Sequence, residues 1–176
     1  MSQVVSEHRA AAPDSLILAV MTVSDTRTLA NDTSGALIIS MAEAAGHRIA
    51  DRVIVPDEPE RMTPLLRGFA AREDLHAVLI TGGTGISPRD QTYETVTALL
   101  TKPLPGYGEL FRMLSYAEIG PACLLSRAVG GLIGDRVVLV MPGSRAAVEL
   151  AMAKIILPEL PHIVREARKT GSPQKA

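Results

Sequence analysis

Thr81-Gly82-Gly83-Thr84-Gly85 is the stretch of this sequence best suited to chemistry. Three glycines in five residues let a backbone approach a ligand closely and turn its N–H groups toward an anion, and two threonines add hydroxyls. The stretch is no P-loop, since it lacks the Gly-Lys-Ser/Thr ending, and its spacing is not Gly-x-Gly-x-x-Gly. The residues alone leave a tight strand-to-helix turn equally open. Pro142-Gly143-Ser144 is a second candidate. Ser144 suits a helix N-cap, and the N–H groups behind it suit a phosphate, although capping alone also explains a serine there. Asp57 and Asp90 are candidate ligands for Mg2+, which takes one or two carboxylates together with substrate phosphates. An ion held that way activates a phosphoanhydride for nucleotidyl transfer. Turn and capping roles before Pro59 and Thr92 compete with this reading. Ser24 and Asp25 open a further polar stretch, Ser24-Asp25-Thr26-Arg27. Arg27, Arg89 and Arg145 carry the guanidinium fork that matches phosphate oxygens.

These residues acquire a common location once the elements around them are read. Leu16 to Val23 is a continuous apolar run, as a strand covered on both faces requires. Helical character follows from Asp32 to Ala45, with Asp32 or Thr33 as cap and Gly46 as the C′ residue. A second strand is expected over Ile49 to Val55, a helix over Pro59 to Arg72, and a third strand over His76 to Ile80. Helices are expected over Thr92 to Leu100 and Tyr107 to Ala117. Strands over Leu124 to Ile133 and Arg136 to Met141 should meet at Gly134-Asp135, and helices over Ala146 to Ile156 and Leu160 to Ala167, separated by prolines, should close the chain. Alternation of this kind predicts an α/β fold, a mostly parallel sheet with helices on both faces and one antiparallel strand in the late pair. Ligands of such sheets bind beyond the carboxyl ends of the strands. Ser24, Asp57, Thr81 and Pro142 each follow a strand, so one edge should collect them all. Residues 1–14 read as a disordered arm, 15–168 as the one domain and 169–176 as a flexible tail.

Composition narrows the partners. The chain has 176 residues and a formal net charge of −1, so no global positive field holds a nucleic-acid backbone. Trp is absent, with three Tyr and two Phe, which argues against base-stacking platforms. Cys123 is the only cysteine. A disulfide within the chain is excluded, a buried packing thiol is expected, and a reducing cytoplasm suits it. Met1 to Asp14 holds no apolar stretch of signal-peptide length, and no segment reaches the length of a membrane helix. His8, His47, His76 and His162 are assigned no catalytic role, with His47 expected in a capping or surface position.

Several segments occur together and in order: Thr22-Val23-Ser24-Asp25, Asp32-Thr33-Ser34-Gly35, Thr81 to Gly85, Arg89-Asp90, Pro105 to Ser115, Leu125-Ser126-Arg127-Ala128 and Met141 to Ser144. Together they resemble the MoaB/MogA family of molybdenum cofactor biosynthesis proteins over about residues 16 to 165, with Asp32 to Gly35 and Pro105 to Ser115 pointing to the MoaB-type branch. The resemblance implies a three-layer α/β/α sandwich, a homotrimer or hexamer, and a pterin-binding role, with other proteins of the same pathway as further partners. It also implies ATP and Mg2+ for adenylylating molybdopterin ahead of molybdate insertion. The acids required by active members match Asp57 and Asp90. Thr81 to Gly85 and Pro142 to Ser144 match the loops contacting phosphate and pterin, and Ser126 falls in a segment near the pterin. One departure follows the glycine loop. The family commonly reads Arg-Asp-Val-Thr-Pro-Glu, whereas this chain has Arg89-Asp90-Gln91-Thr92-Tyr93-Glu94. A non-catalytic molybdopterin carrier or scaffold is the alternative, and another nucleotide-processing enzyme on the same fold a more distant one.

Overall fold

The computed structural model describes Pro13 and residues 15–169. The expected arm, apart from Pro13, and all of the expected tail beyond Lys169 lie outside the described residues. Strand β1 (Ile17–Val23) leads into helix α1 (Thr33–Ala44), β2 (Arg48–Val55), α2 (Pro59–Ala71) and β3 (Ala77–Thr81). Then come α3 (Thr92–Leu99), the two-residue β4 (Lys102–Pro103), α4 (Pro105–Ile119) and a 3-10 turn over Gly120–Leu125. The chain closes with β5 (Val129–Ile133), β6 (Arg136–Met141), α5 (Arg145–Ala151), a π-helical segment over Met152–Ile156 and α6 (Leu157–Ala167).

The six strands form one sheet in the order β2-β1-β3-β6-β5-β4. β2, β1, β3 and β6 run parallel, while β5 lies antiparallel to β6 and β4 antiparallel to β5. The period-2 alternation of the strands sorts their residues between two cores. Leu18, Val20, Leu79 and Leu139 face α1, α4 and the closing helices, where Ile38, Phe111, Val148 and Leu160 meet them. Ala19, Met21, Val78, Ile80 and Val140 face α2 and α3, where Met62, Leu66, Phe69 and Val96 cover them. This is the three-layer α/β/α sandwich expected. Each fully buried leucine or isoleucine in it contributes about 1.5–3 kcal/mol of transfer free energy. Among the described residues no helix is long and apolar enough to cross a membrane.

Helix ends follow local chemistry. Asp32 caps α1, its Oδ1 accepting from Gly35 N at 2.8 Å, and Gly46 stands past the other end at φ +87°. α1 buries Gly35, Ile38 and Ala42, one face of a 3.6-residue period. Pro59 opens α2 and Pro105 opens α4, where a missing N–H costs nothing.

Four expectations need correction. Leu124 is not in a strand. Gly120–Leu125 forms the 3-10 turn, and β5 starts only at Val129. Leu124 and Leu125 are 77% and 57% exposed, so their apolar run reflects surface and not sheet. The edge strand Lys102–Pro103 was missed because a proline in a two-residue strand carries no alternation, and proline is tolerated only at such an edge. Pro158 and Pro161 do not separate two helices, because the chain stays helical from Arg145 to Ala167. The widened π segment ends at Ile156, two residues before Pro158, whose missing N–H interrupts the ordinary ladder. His47 is buried, not superficial, and its Nδ1 accepts from Leu16 N at 3.4 Å. Cys123 is a buried free thiol, as expected.

Candidate active site at the carboxyl edge of the sheet

The chain leaves β1 for β2 on one side and returns over α2 to β3 on the other. The order of strands therefore reverses between β1 and β3, and a crevice opens beyond their carboxyl ends. Thr81 ends β3 fully buried and donates its hydroxyl to Pro142 O at 3.1 Å. Gly82 N donates to Met141 O at 3.2 Å. The Gly82 and Gly143 backbones are so close that a Cβ on Gly143 would lie 3.2 Å from Gly82 Cα. The ends of β3 and β6 are thus laced together, and Ser34 of α1 joins them through a 2.8 Å bond from its hydroxyl to Gly143 O.

A cavity of about 110 Å3 sits here, and Thr22, Ser24, Arg27, Asp32, Ser34 and Thr81 contribute to its lining. The wall is hydroxyl-rich and holds one arginine and one carboxylate, a chemistry suited to a polar, phosphorylated ligand. Sequence reading valued Asp32 only as a cap. It also accepts from Thr22 Oγ1 at 2.9 Å and from Arg52 Nη2 at 3.1 Å, which fixes the cavity floor. Ser24 shapes the rim, its Oγ accepting from the N–H groups of Thr26 and Arg27, each at 3.2 Å. A roomier cavity of about 410 Å3 lies between the β4–β5 edge and α6, lined by Leu104, Leu132 and Ile163 among others. It is mostly apolar and far from every strand terminus that carries candidate chemistry, so size does not identify the site here.

The acids lie on the other side of the glycine loop. Asp57 is only 5% exposed, and its Oδ1 accepts from Gln91 N at 3.1 Å and from Thr92 Oγ1 at 3.2 Å. Its backbone N–H donates to Asp25 Oδ1 at 3.2 Å. Asp90 Oδ2 accepts from Ser87 N at 3.0 Å. The loop glycines make room for both carboxylates. A Cβ on Gly83 would fall on Asp57 Oδ2 and Thr92 Oγ1, and one on Gly85 would lie 2.6 Å from Asp90 Oδ2. Burial pushes the Asp57 carboxyl above the usual carboxylate range, and the charge of Asp90 pushes it further. The Gln91 and Thr92 hydrogen bonds and the Arg89 charge act in the opposite direction. Arg89 grips Asp25 with two bonds of 2.6 and 2.7 Å and reaches Glu58 at 3.4 Å. Those bonds hold Asp25 below the usual range.

Among the described residues no three His, Cys, Asp or Glu side chains gather as a metal cage. Two carboxylates in reach of one another fit Mg2+ only when phosphate oxygens complete its octahedron. Asp57 is desolvated and feels the charge of Asp90, and Gly83 and Gly85 leave room for the two carboxylates, a donor pair whose chemistry fits Mg2+ together with phosphate oxygens.

Ser24, Asp25, Asp57, Thr81, Gly82, Gly83, Thr84, Gly85, Asp90, Pro142, Gly143 and Ser144 therefore share one edge. Ser144 caps α5, its Oγ accepting from Ala147 N at 3.2 Å. Replacing it with alanine should cost about 1 kcal/mol in urea denaturation; an unchanged midpoint would refute the cap. Ser126 is set apart at the end of the 3-10 turn, its N–H bonded to Cys123 O at 2.9 Å. Its neighbour Arg127 reaches the glycine loop instead, through Thr84 O at 3.0 Å and through Gly85 O. Arg127 was legible only as part of the Leu125 to Ala128 segment, since a lone arginine before a strand gives no signal of its own.

Known proteins resemble this chain in sequence and in fold. The model of a family described as a probable molybdopterin binding domain matches residues 19–162. The molybdenum cofactor biosynthesis protein B of Bacillus subtilis is 52% identical over 166 residues, 94% of this chain and 98% of that protein. The crystal structure of a molybdenum cofactor biosynthesis protein B is similar at a TM-score of 0.87 and 48% identity, covering 90% of this chain and 99% of that one. The tungsten cofactor synthesizing protein MoaB from Pyrococcus furiosus is similar at 0.78 and 38% identity, over 90% of this chain and 100% of its own.

Proposed function

Because this chain belongs to the molybdopterin-binding domain family of molybdenum cofactor biosynthesis, in its protein B branch, we propose that it binds molybdopterin and adenylylates it with Mg-ATP. The observation that carries this reading is the position of Asp57 and Asp90 beneath Gly83 and Gly85, beside the hydroxyl-lined cavity. A terminal phosphate oxygen of molybdopterin bonds to the α-phosphorus of ATP, the bond from that phosphorus to the bridging oxygen breaks, and pyrophosphate leaves. Mg2+, when bound, neutralises phosphate charge, and Asp57 and Asp90 would hold it. The protein needs no covalent intermediate. Its part is to align two anions and keep their reacting atoms in line. Thr81, Gly82, Gly143 and Ser34 shape one anion's seat, and the loop from Gly83 to Gly85 shapes the space over the acids. A homotrimer or hexamer in the cytoplasm belongs to the same proposal, and exposed Met113, Tyr116, Ile119, Leu124 and Leu125 give self-association an apolar surface.

One observation favours the carrier alternative. Arg89, whose charge acts on Asp57, is already engaged by Asp25 and Glu58, so its guanidinium is committed within the fold and not to a triphosphate. Titrating the purified protein with ATP and Mg2+, with and without molybdopterin, separates the two. Molybdopterin-dependent pyrophosphate release is the expected outcome. Tight molybdopterin binding with neither nucleotide binding nor pyrophosphate would replace the transferase by a carrier.

A further inference from the structure

Arg127 reaches the acid-bearing loop from the start of β5, two strands away along the same edge of the sheet. It leads into β5, yet its guanidinium spans the backbone of the loop after β3. Nε donates to Thr84 O at 3.0 Å, and Nη2 donates to Gly85 O and, at 3.5 Å, to Asp90 O. Glu94 is the acidic partner, accepting from Nη1 at Oε1 and, at 3.3 Å, sharing the Nη2 hydrogens with the carbonyls at Oε2. The guanidinium also lies over the Tyr93 ring, 4.9 Å from its centroid. The side chain is only 21% exposed, so these are partly desolvated, charge-assisted bonds and stronger than surface pairs.

Three carbonyls of one loop bound by one planar fork fix the course of that loop between Thr84 and Asp90. The carboxylate of Asp90 rides on it. We infer that Arg127 is a positioning residue which, with Tyr93 beneath it, fixes Asp90 relative to Asp57 for a phosphate-bound divalent cation. The inference rests on the proposed transferase reading and deepens it. It also gives the departure at Tyr93 a physical role. A proline there offers no π face, whereas the tyrosine ring stacks on the guanidinium while Glu94 takes part of its N–H fork. Lysine in place of Arg127 supplies a point charge but not the fork.

The test compares Arg127→Met, which keeps the apolar stem, with Arg127→Lys and Tyr93→Leu, which stand in should Arg127→Met not fold. Three measurements decide it: Mn2+ binding in the presence of α,β-methylene-ATP by electron paramagnetic resonance, amide exchange over residues 84–91, and the Mg2+ dependence of pyrophosphate release. Arg127→Met should weaken Mn2+ about ten- to a hundredfold, speed exchange in that segment and leave molybdopterin affinity unchanged. Millimolar guanidinium should restore part of the Mn2+ affinity. Tyr93→Leu should act in the same direction and more weakly. Faster exchange or a lower melting temperature with wild-type Mn2+ affinity makes Arg127 merely structural and overturns the inference. If the wild type binds Mn2+ with the nucleotide analogue but releases no pyrophosphate, the transferase reading fails while the Mn2+ comparison still judges Arg127. A wild type that binds no Mn2+ overturns both.

Discussion

Asp57→Asn should silence pyrophosphate release by about a hundredfold or more and, without Mg2+, make the protein more stable. Both effects have one cause. Asp57 is almost fully covered, and burial together with the charge of Asp90 raises its carboxyl above the ordinary value. An acid whose folded-state affinity for a proton exceeds its unfolded one burdens the fold when ionised. Below the unfolded value of 3.8 both states are protonated and nothing is lost. As pH rises from 3.8 toward the raised folded value the burden accumulates, and above the folded value it is complete. Asparagine keeps an acceptor for Gln91 N and Thr92 Oγ1 while removing the charge. The expected gain above the folded value is about 1 kcal/mol, or roughly 2–4 °C in melting temperature for a domain of this size. The gap between variant and wild type should close as pH falls, and it should also shrink when Mg-ATP is added to the wild type. Melting curves across pH with and without Mg-ATP check this. A variant that is inactive but less stable at neutral pH would mean that Asp57 is a structural acid whose charge the fold needs.

The same residue shows what sequence can and cannot disclose. That Asp57 follows a strand was legible from the strand read over Ile49 to Val55 and the proline at 59, and the carboxyl edge of a parallel sheet then followed from the alternation of elements. Strand pairing was not legible. Nothing in Ala77–Thr81 says that it pairs with Leu18–Thr22 on one side and Val137–Met141 on the other, and that pairing is what brings Thr81 against Pro142. Period and punctuation encode elements locally, whereas a seat built by three strand ends is encoded in packing between distant segments. Leu124 failed for a related reason. An apolar run signals burial only on average, and this one lies on an exposed turn. Arg52 and Arg127 were invisible as site-shaping residues because their partners, Asp32 and the Thr84 to Asp90 carbonyls, stand 20 to 43 residues away.

Gly82→Ala should be among the most damaging single-methyl changes in the chain. Gly82 sits at φ +100°, where an L side chain is strained by about 1–3 kcal/mol. The added Cβ would fall on the Val23 carbonyl oxygen, with Val23 C only 3.2 Å away. Neither neighbour can give. Val23 ends the buried strand β1, and Gly82 is tied from behind to Met141 O and pressed against Gly143. Overpacking against fixed backbone adds about 1–3 kcal/mol. A total of roughly 2–6 kcal/mol is a large share of the 5–15 kcal/mol that holds a domain folded, equivalent to about 4–24 °C in melting temperature. Gly46→Ala is the control, since Gly46 also has positive φ but has nothing within 4 Å of an added Cβ. It should lose only about 1–2 kcal/mol, so the difference between the two variants isolates the clash with β1. Relief of that clash can come only by moving the glycine loop away from Val23, which shifts Gly83 off Asp57. The folded fraction of Gly82→Ala should therefore also lose turnover, whereas Gly46→Ala retains it. If the two variants unfold at the same denaturant concentration, β1 and the glycine loop are not in the contact that builds this site.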